Sequence, residues 1–231
     1  MTQLFPQNTA LVIVDIQKDF CPGGKLGVED GDKIIPAINQ IKSDFGLTVL
    51  TQDWHPADHK SFASNHEGAQ PFSTVEMSYG PQVLWPDHCI QTDEDKGAEF
   101  HEKLQISGSD LILQKGTNPD IDSYSGFFEN DHKTKPRFSG GEADGKTLAE
   151  MLKSKGVSKV VFCGIAYDFC VGWHALDALK EGFQSVVLED ASRAIAMPTP
   201  DGSMNTKYIM DAQLAKADIP LISIYDLYRS L

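Results

Sequence analysis

Residues 160–179 read V-V-F-C-G-I-A-Y-D-F-C-V-G-W-H-A-L-D-A-L. The run 160–165 is apolar throughout, as expected of a strand covered on both faces. One tight turn separates it from a stretch with helical spacing over 169–182. There Val171, Ala175, Ala178 and Leu179 form one apolar stripe to lay on a sheet. Cys170 falls at the start of that helix, where unpaired backbone N–H groups and the helix dipole favour a thiolate. A lone free cysteine is ordinarily a small buried hydrophobe. The neighbouring strands give this one a different context.

Outward from this unit, apolar runs alternate with amphipathic stretches along the chain. Strands are expected at 10–15, 47–53, 110–115, 158–165, 184–189 and 220–225. Helices are expected at 31–44, 146–155, 169–182 and 204–217, with a short one at the end. Such alternation predicts an α/β fold with a parallel sheet and right-handed crossovers. Asp15 closes the strand A-L-V-I-V-D and Lys115 closes L-I-L-Q-K. With Cys170, that places three reactive side chains at C-terminal strand ends, the edge where open parallel sheets bind ligands. Residues 54–108 and 116–145 lack the alternation and are rich in His, Pro, Trp and Gly or in polar residues. Loops of that length in a compact domain are usually functional or disordered, and these are expected to roof the site. No repeat or linker divides residues 1–231, so one domain is expected.

The composition is that of a soluble globular protein, with 41% hydrophobic and 23% charged residues. A formal net charge of −13 argues against nucleic acid and against anionic membrane surfaces, both of which select clustered Lys and Arg. No apolar run approaches the ~20 residues of a membrane span. The opening M-T-Q-L-F-P-Q-N-T lacks the basic start and apolar core of a signal peptide, so a cytoplasmic location is expected. Cys21, Cys89, Cys163 and Cys170 have no C-x-x-C spacing and are too sparse for a disulfide scaffold. Reduced thiols fit that usage. Cys163, alternating with Val161 and Ile165, reads as core. The sequence leaves the oligomeric state open, a homo-oligomer included.

A second constellation lies in T-V-L-T-Q-D-W-H-P-A-D-H-K-S-F at 48–62. Asp53 and His55 are two apart, so in an extended backbone they project to the same side and can share one ion. A carboxylate with an imidazole suits Zn²⁺, Fe²⁺ or Mn²⁺. The third ligand is His88, in L-W-P-D-H-C at 84–89, or His59, closer in sequence. His66, His101, His132 and His174 lack such company and read as surface or structural histidines.

Five fragments, in order, resemble the nicotinamidases of the isochorismatase-like cysteine hydrolase superfamily. They are A-L-V-I-V-D-I-Q-K-D-F-C-P-G-G at 10–24, T-Q-D-W-H-P-A-D-H-K-S-F at 51–62 and L-W-P-D-H-C at 84–89. K-G-T-N-P-D-I-D-S-Y-S-G-F-F follows at 115–128 and G-I-A-Y-D-F-C-V at 164–171. The resemblance implies a six-stranded parallel sheet with helices on both faces. It places an Asp-Lys-Cys triad on Asp15, Lys115 and Cys170, and a metal site on Asp53, His55 and His88; relatives vary in any additional ligand, which leaves His59 open. Zinc is the expected ion, with iron or manganese as alternatives. Ring-binding positions fall on Phe20, Trp85 and Tyr124, with Leu26 beside them. Ile165 and Ala166 also belong to the substrate-binding set, joined by a cis peptide that presents the Ala166 and Cys170 amides as an oxyanion hole.

The activity so implied is metal-dependent hydrolysis of nicotinamide to nicotinate and ammonia through a cysteine thioester, in pyridine nucleotide salvage. Pyrazinamide would be a further substrate. Two alternatives share parts of the pattern. A sibling amidase acting on another small amide or carbamoyl compound has the triad but need not have the metal residues. A non-catalytic member binding a ligand or partner would have lost the nucleophile, which is present here. Isochorismate hydrolysis is disfavoured because relatives with that activity lack the cysteine.

Overall fold

The structure, a computed structural model, describes residues 4–92, 94 and 96–230. In chain order the elements are β1 (Thr9–Val14), α1 (Ile35–Lys42), β2 (Thr48–Asp53), β3 (Thr74–Met77) and β4 (Gly80–Val83). They continue with β5 (Leu111–Lys115), α2 (Leu148–Ser154), β6 (Lys159–Ile165), α3 (Gly172–Lys180) and β7 (Gln184–Arg193). α4 (Thr206–Lys216), β8 (Leu221–Ile222) and α5 (Ile224–Arg229) complete the chain. Six strands form one sheet in the order β5-β2-β1-β6-β7-β8, and every pairing is parallel.

Every residue of β1 and β2 is buried. Successive strand residues point to opposite faces, so full burial means that both faces of the sheet centre are covered. From β1 the chain builds outward through β2 to β5, then crosses to β6, β7 and β8 on the other side. The order therefore reverses between β1 and β6. The crevice above that reversal is the ligand position of open α/β sheets. Asp15 follows β1 directly, and the turn carrying Cys170 follows β6.

Several boundaries differ from the sequence reading. The expected strand at 220–225 shrinks to Leu221–Ile222, because Ser223 caps a helix through a hydrogen bond from Asp226 N–H to its hydroxyl at 3.1 Å. β7 does not stop at 189 but runs to Arg193, after a register shift against β6 between Phe162 and Gly164. The expected helix at 31–44 begins as a 3-10 turn over Gly31–Ile34 and becomes α-helical only at Ile35. Within 54–108 the chain forms an antiparallel hairpin, β3 with β4. Along the expected helix at 169–182, Val171, His174, Ala175 and Ala178 are buried, whereas Leu179 is 43% exposed. At 3.6 residues per turn Leu179 lies ~100° round from Ala178 and leaves the stripe.

Candidate active site

Cys170 sits in a π-helical turn, Tyr167–Val171, in which Val171 N–H reaches back to Ala166 C=O at 3.0 Å. The Ile165–Ala166 peptide leading into it is cis, as the resemblance implies. Asp15 adopts a positive φ of 49° on leaving β1, a region that Asp tolerates better than most residues. Asp53 and Lys115 are register partners on β2 and β5. Adjacent parallel strand ends thus bring Asp15, Asp53, Lys115 and Cys170 together.

Lys115 Nζ is the hub. It lies 2.9 Å from Asp15 Oδ2, 2.5 Å from Asp53 Oδ1, 2.9 Å from the Ser123 carbonyl and 3.5 Å from Cys170 Sγ. The contact with Asp15 Oδ2 is an ion pair rather than a well-aligned hydrogen bond. Thr51 donates to the other Asp15 oxygen at 2.7 Å. Oxygens of Asp15 and Asp53 and the Cys170 sulfur all lie within 4.8 Å of one another.

Burial dominates the electrostatics. It pushes Asp15 up to about 6, against the opposing pull of Lys115. Burial also raises Cys170 well above the ordinary thiol value, although Lys115 works to lower it. The helix terminus therefore does not produce a resting thiolate, contrary to the reading of Cys170 from its position alone. Burial would lower Lys115, but Asp15 and Asp53 hold it well above its usual value. Burial would raise Asp53, but Lys115 and His55 keep it well below the carboxylate range. At neutral pH the resting forms are a thiol, two carboxylates and one ammonium.

Asp53 Oδ2 faces a cluster of imidazoles, with His55 Nε2 at 3.6 Å and His88 Nε2 at 3.9 Å. His55 Nδ1 meets Gly116 C=O at 2.8 Å, and His88 Nδ1 meets Pro86 C=O at 2.8 Å. A carbonyl accepts only, so each ring carries its proton on Nδ1 and turns an Nε2 lone pair towards Asp53. Gly116, at φ 65°, is required here because a Cβ would collide with the His55 ring. Two donors ~2.1 Å from a tetrahedral ion stand ~3.4 Å apart, close to both separations. One ammonium against two buried carboxylates also leaves a net negative charge that a divalent cation offsets. The residues present fit a metal ion.

Burial pushes His88 down to about 4, with His55 adding to the fall. Burial would also lower His55, but the Asp53 carboxylate beside it raises it above the ordinary imidazole value. His59 is completely buried, and its Nε2 has no hydrogen-bond partner among the described residues. Its donor atom groups with His55 and Asp122, not with Asp53 and His88.

Between the imidazoles and the sulfur lies a small slot. Phe20, Leu26, Trp85 and Tyr124 line it, together with Ala166 and Cys170. Ile165 does not line it; a Cβ on Gly31 would come 2.9 Å from Ile165 Cδ1, so that side chain points to the loop behind. Phe169, Asp122 and Ile195 line the slot and escaped the sequence reading. The Phe169 ring meets Trp85 edge-on, with centroids 4.8 Å apart. Ile195 is placed by Asp168, whose carboxylate accepts from Ile195 N–H at 2.9 Å and Ala196 N–H at 2.8 Å.

Two further buried polar residues hold the frame. Gln17 donates to Asp53 C=O at 2.8 Å and accepts from Asp53 N–H at 2.8 Å, which fixes the backbone of that carboxylate. Asp19 accepts from Cys89 N–H at 2.7 Å and Lys25 N–H at 3.2 Å, tying the loop of Phe20 and Leu26 to the one carrying His88. All four cysteines are free, and no helix among the described residues is long and apolar enough to cross a membrane.

The chain as a whole has known counterparts. Residues 9–207 match the isochorismatase domain, and the chain belongs to that family. It is 50% identical over 190 residues to a nicotinamidase of Acinetobacter baylyi, covering 82% of this chain and 83% of the relative. The solved nicotinamidase/pyrazinamidase of Acinetobacter baumanii superposes with a TM-score of 0.85 at 47% identity, covering 96% of this chain and 99% of that one. A pyrazinamidase of Pyrococcus horikoshii, solved in complex with zinc, superposes with a TM-score of 0.69 at 33% identity over 94% of this chain and 99% of that one.

Proposed function

We propose that the protein hydrolyses nicotinamide to nicotinate and ammonia, with pyrazinamide as a further substrate. The observation that carries this reading is the slot itself. Cys170, with the Asp15 carboxylate near its sulfur, shares this slot with Asp53, His88 and the rings of Trp85, Tyr124 and Phe169, which supports a flat substrate that needs a nucleophile, a metal anchor and aromatic walls together. Nicotinamide has the matching polarity, a carboxamide and a ring nitrogen at separate positions of a flat ring. The 50% identity to a nicotinamidase supports the same substrate.

Asp53, His55 and His88 would hold a divalent ion, for which zinc is favoured by its presence in the pyrazinamidase relative. When bound, the ion supplies a Lewis-acidic anchor for the pyridine nitrogen. Trp85, Phe169 and Tyr124 offer apolar surface to the ring, and Phe20 and Leu26 also line the slot. Such positioning replaces a bimolecular encounter by a held near-attack geometry and can supply several kcal/mol.

Asp15, ionised above pH about 6, takes the proton of the Cys170 thiol as the sulfur attacks the carboxamide carbon. Because the resting thiol is neutral, proton transfer and attack are coupled, and the Lys115 ammonium supports the negative charge as it develops on sulfur. The Ala166 and Cys170 amides receive the oxyanion of the tetrahedral intermediate. As the C–N bond breaks, Asp15 returns its proton to the departing nitrogen, and ammonia leaves a thioester on Cys170. Asp15 then deprotonates a water that attacks the thioester, which releases nicotinate and restores the thiol.

Ammonia release across a panel of small amides, with metal analysis of the purified protein, tests this reading. Turnover of nicotinamide and pyrazinamide, abolished in Cys170→Ala, is the expected result. Preference for an aliphatic amide or a carbamoyl compound would replace it with a sibling amidase.

A further inference from the structure

His174 is completely buried, and both of its ring nitrogens are engaged. Nδ1 lies 2.7 Å from the carbonyl oxygen of Cys170, one helical turn back. Gly126 N–H donates to Nε2 at 2.7 Å. Nε2 can accept only without a proton, so the ring carries its proton on Nδ1 and donates it to the Cys170 carbonyl. Burial, and then the Lys115 charge, push this imidazole down to about 3, which keeps Nε2 an acceptor across the ordinary pH range.

Both partners belong to segments that build the candidate site. Gly126 ends a stretch in which the Ser123 carbonyl accepts from Lys115 Nζ at 2.9 Å and Tyr124 lines the slot. Lys115 Nζ in turn stands 3.5 Å from Cys170 Sγ. The contacts close a circuit: Cys170 carbonyl, His174 ring, the backbone from Gly126 to Ser123, Lys115 Nζ, and back to the Cys170 sulfur. There is no slack on the glycine side, since a Cβ at Gly126 would come 2.9 Å from Leu113 Cδ2 and 3.0 Å from His174 Nε2.

We propose that His174 is a positioning residue for the hydrolysis, holding the Ser123–Gly126 segment against the Cys170 turn and so fixing Lys115 Nζ relative to the sulfur. This role rests on Cys170 being the nucleophile. Without the imidazole the circuit opens between the Cys170 turn and Gly126, and the ammonium loses the restraint that ties the Ser123–Gly126 segment to that turn. A displaced ammonium supports the developing thiolate less well, and small misplacements at a reacting centre cost large factors in rate.

The test compares His174→Phe, which keeps most of the volume but neither hydrogen bond, with His174→Gln, which returns an amide oxygen within reach of Gly126 N–H. Three quantities are read: steady-state ammonia release from nicotinamide, the pH profile of Cys170 alkylation by iodoacetamide, and the melting temperature. In His174→Phe, kcat is expected to fall by about tenfold or more, with KM within about threefold of wild type. The alkylation profile is expected to move to higher pH, and His174→Gln to recover part of both losses. A purely structural histidine would lower the melting temperature while leaving kcat per folded molecule and the alkylation profile at their wild-type values. That result in His174→Phe overturns the proposal, and His174→Ala, which also removes both hydrogen bonds, decides it if His174→Phe does not fold. A wild-type protein without nicotinamide turnover would remove the functional reading instead, and the alkylation profile would still report whether His174 sets the Lys115–Cys170 geometry.

Discussion

Lys115 Nζ lies 2.5 Å from Asp53 Oδ1, closer than its 2.9 Å approach to Asp15 Oδ2. The lysine is thus shared between Asp15, the proposed base, and the carboxylate that faces the imidazoles, so the two halves of the site are electrostatically one unit. This follows from strand register, because Asp53 and Lys115 are partners on neighbouring parallel strands.

Lys115→Ala should harm both halves. It leaves two buried carboxylates without their cation, and removing one member of a buried charge cluster costs about 3–5 kcal/mol of stability. Among molecules that fold, the Cys170 thiol should titrate still higher, because Lys115 is the charge that lowers it. Denaturant unfolding and the pH profile of thiol alkylation check the two effects; an alkylation profile that stays in place would refute the role of the lysine.

In the proposed mechanism Asp15 must be ionised to accept the thiol proton. Its carboxyl titrates near 6 rather than at its ordinary 3.8, so kcat/KM for nicotinamide should fall tenfold per pH unit below about 6. Asp15→Asn should reduce kcat by about 10²–10⁴-fold at all pH values. Stability carries the opposite sign. Between 3.8 and about 6 the folded state binds the Asp15 proton more tightly than the unfolded state, so this group's contribution to stability declines as pH rises through that window. An acid limb centred near 4 would mean that Asp15 is not held by burial as described.

Asp168→Asn should act on substrate binding more than on chemistry. The carboxylate receives Ile195 N–H on one oxygen and Ala196 N–H on the other. An amide offers one acceptor and turns a donor towards the second N–H, at a cost of about 1–3 kcal/mol. With Ile195 no longer fixed against the slot, KM should rise by a larger factor than kcat falls. Steady-state kinetics check the split.

The sequence pattern exposed the parts of the site that sit at strand ends. Asp15, Lys115 and Cys170 each close or follow an apolar run, and a parallel sheet brings such ends to one edge. Asp53 and His55 were readable from their alternation. His88 was one of two candidates until the resemblance selected it, because a loop gives no periodicity from which to infer direction. Ile195 was hidden by Glu189 and Asp190, which look like a strand end although β7 continues to Arg193. His174 did carry a signal, four residues from Cys170 on a helix and so on the same face, but its second partner, Gly126, is a backbone N–H that leaves no trace in the side-chain pattern. The neutral resting thiol was illegible too, since burial outweighs the helix terminus and depends on the whole packed site.

Chelation should destabilise the protein as well as impair it, because a ligand bound only by the folded state adds RT ln(1 + [L]/Kd) to its stability. The melting temperature should drop after removal of metal and recover with added zinc. The KM for nicotinamide should rise, while alkylation of Cys170 persists. A melting temperature and KM both indifferent to chelator would remove the ion from Asp53, His55 and His88.

The most direct measurement is ammonia release from nicotinamide and from benzamide, side by side, by the wild-type protein and by His88→Ala. The two amides differ at the ring nitrogen alone. The expected result is rapid hydrolysis of nicotinamide by the wild type, poor hydrolysis of benzamide, and a His88→Ala protein that loses most of its advantage on nicotinamide with little further loss on benzamide. Equal hydrolysis of both amides by the wild type would contradict the assignment of the imidazole end of the slot to the pyridine nitrogen.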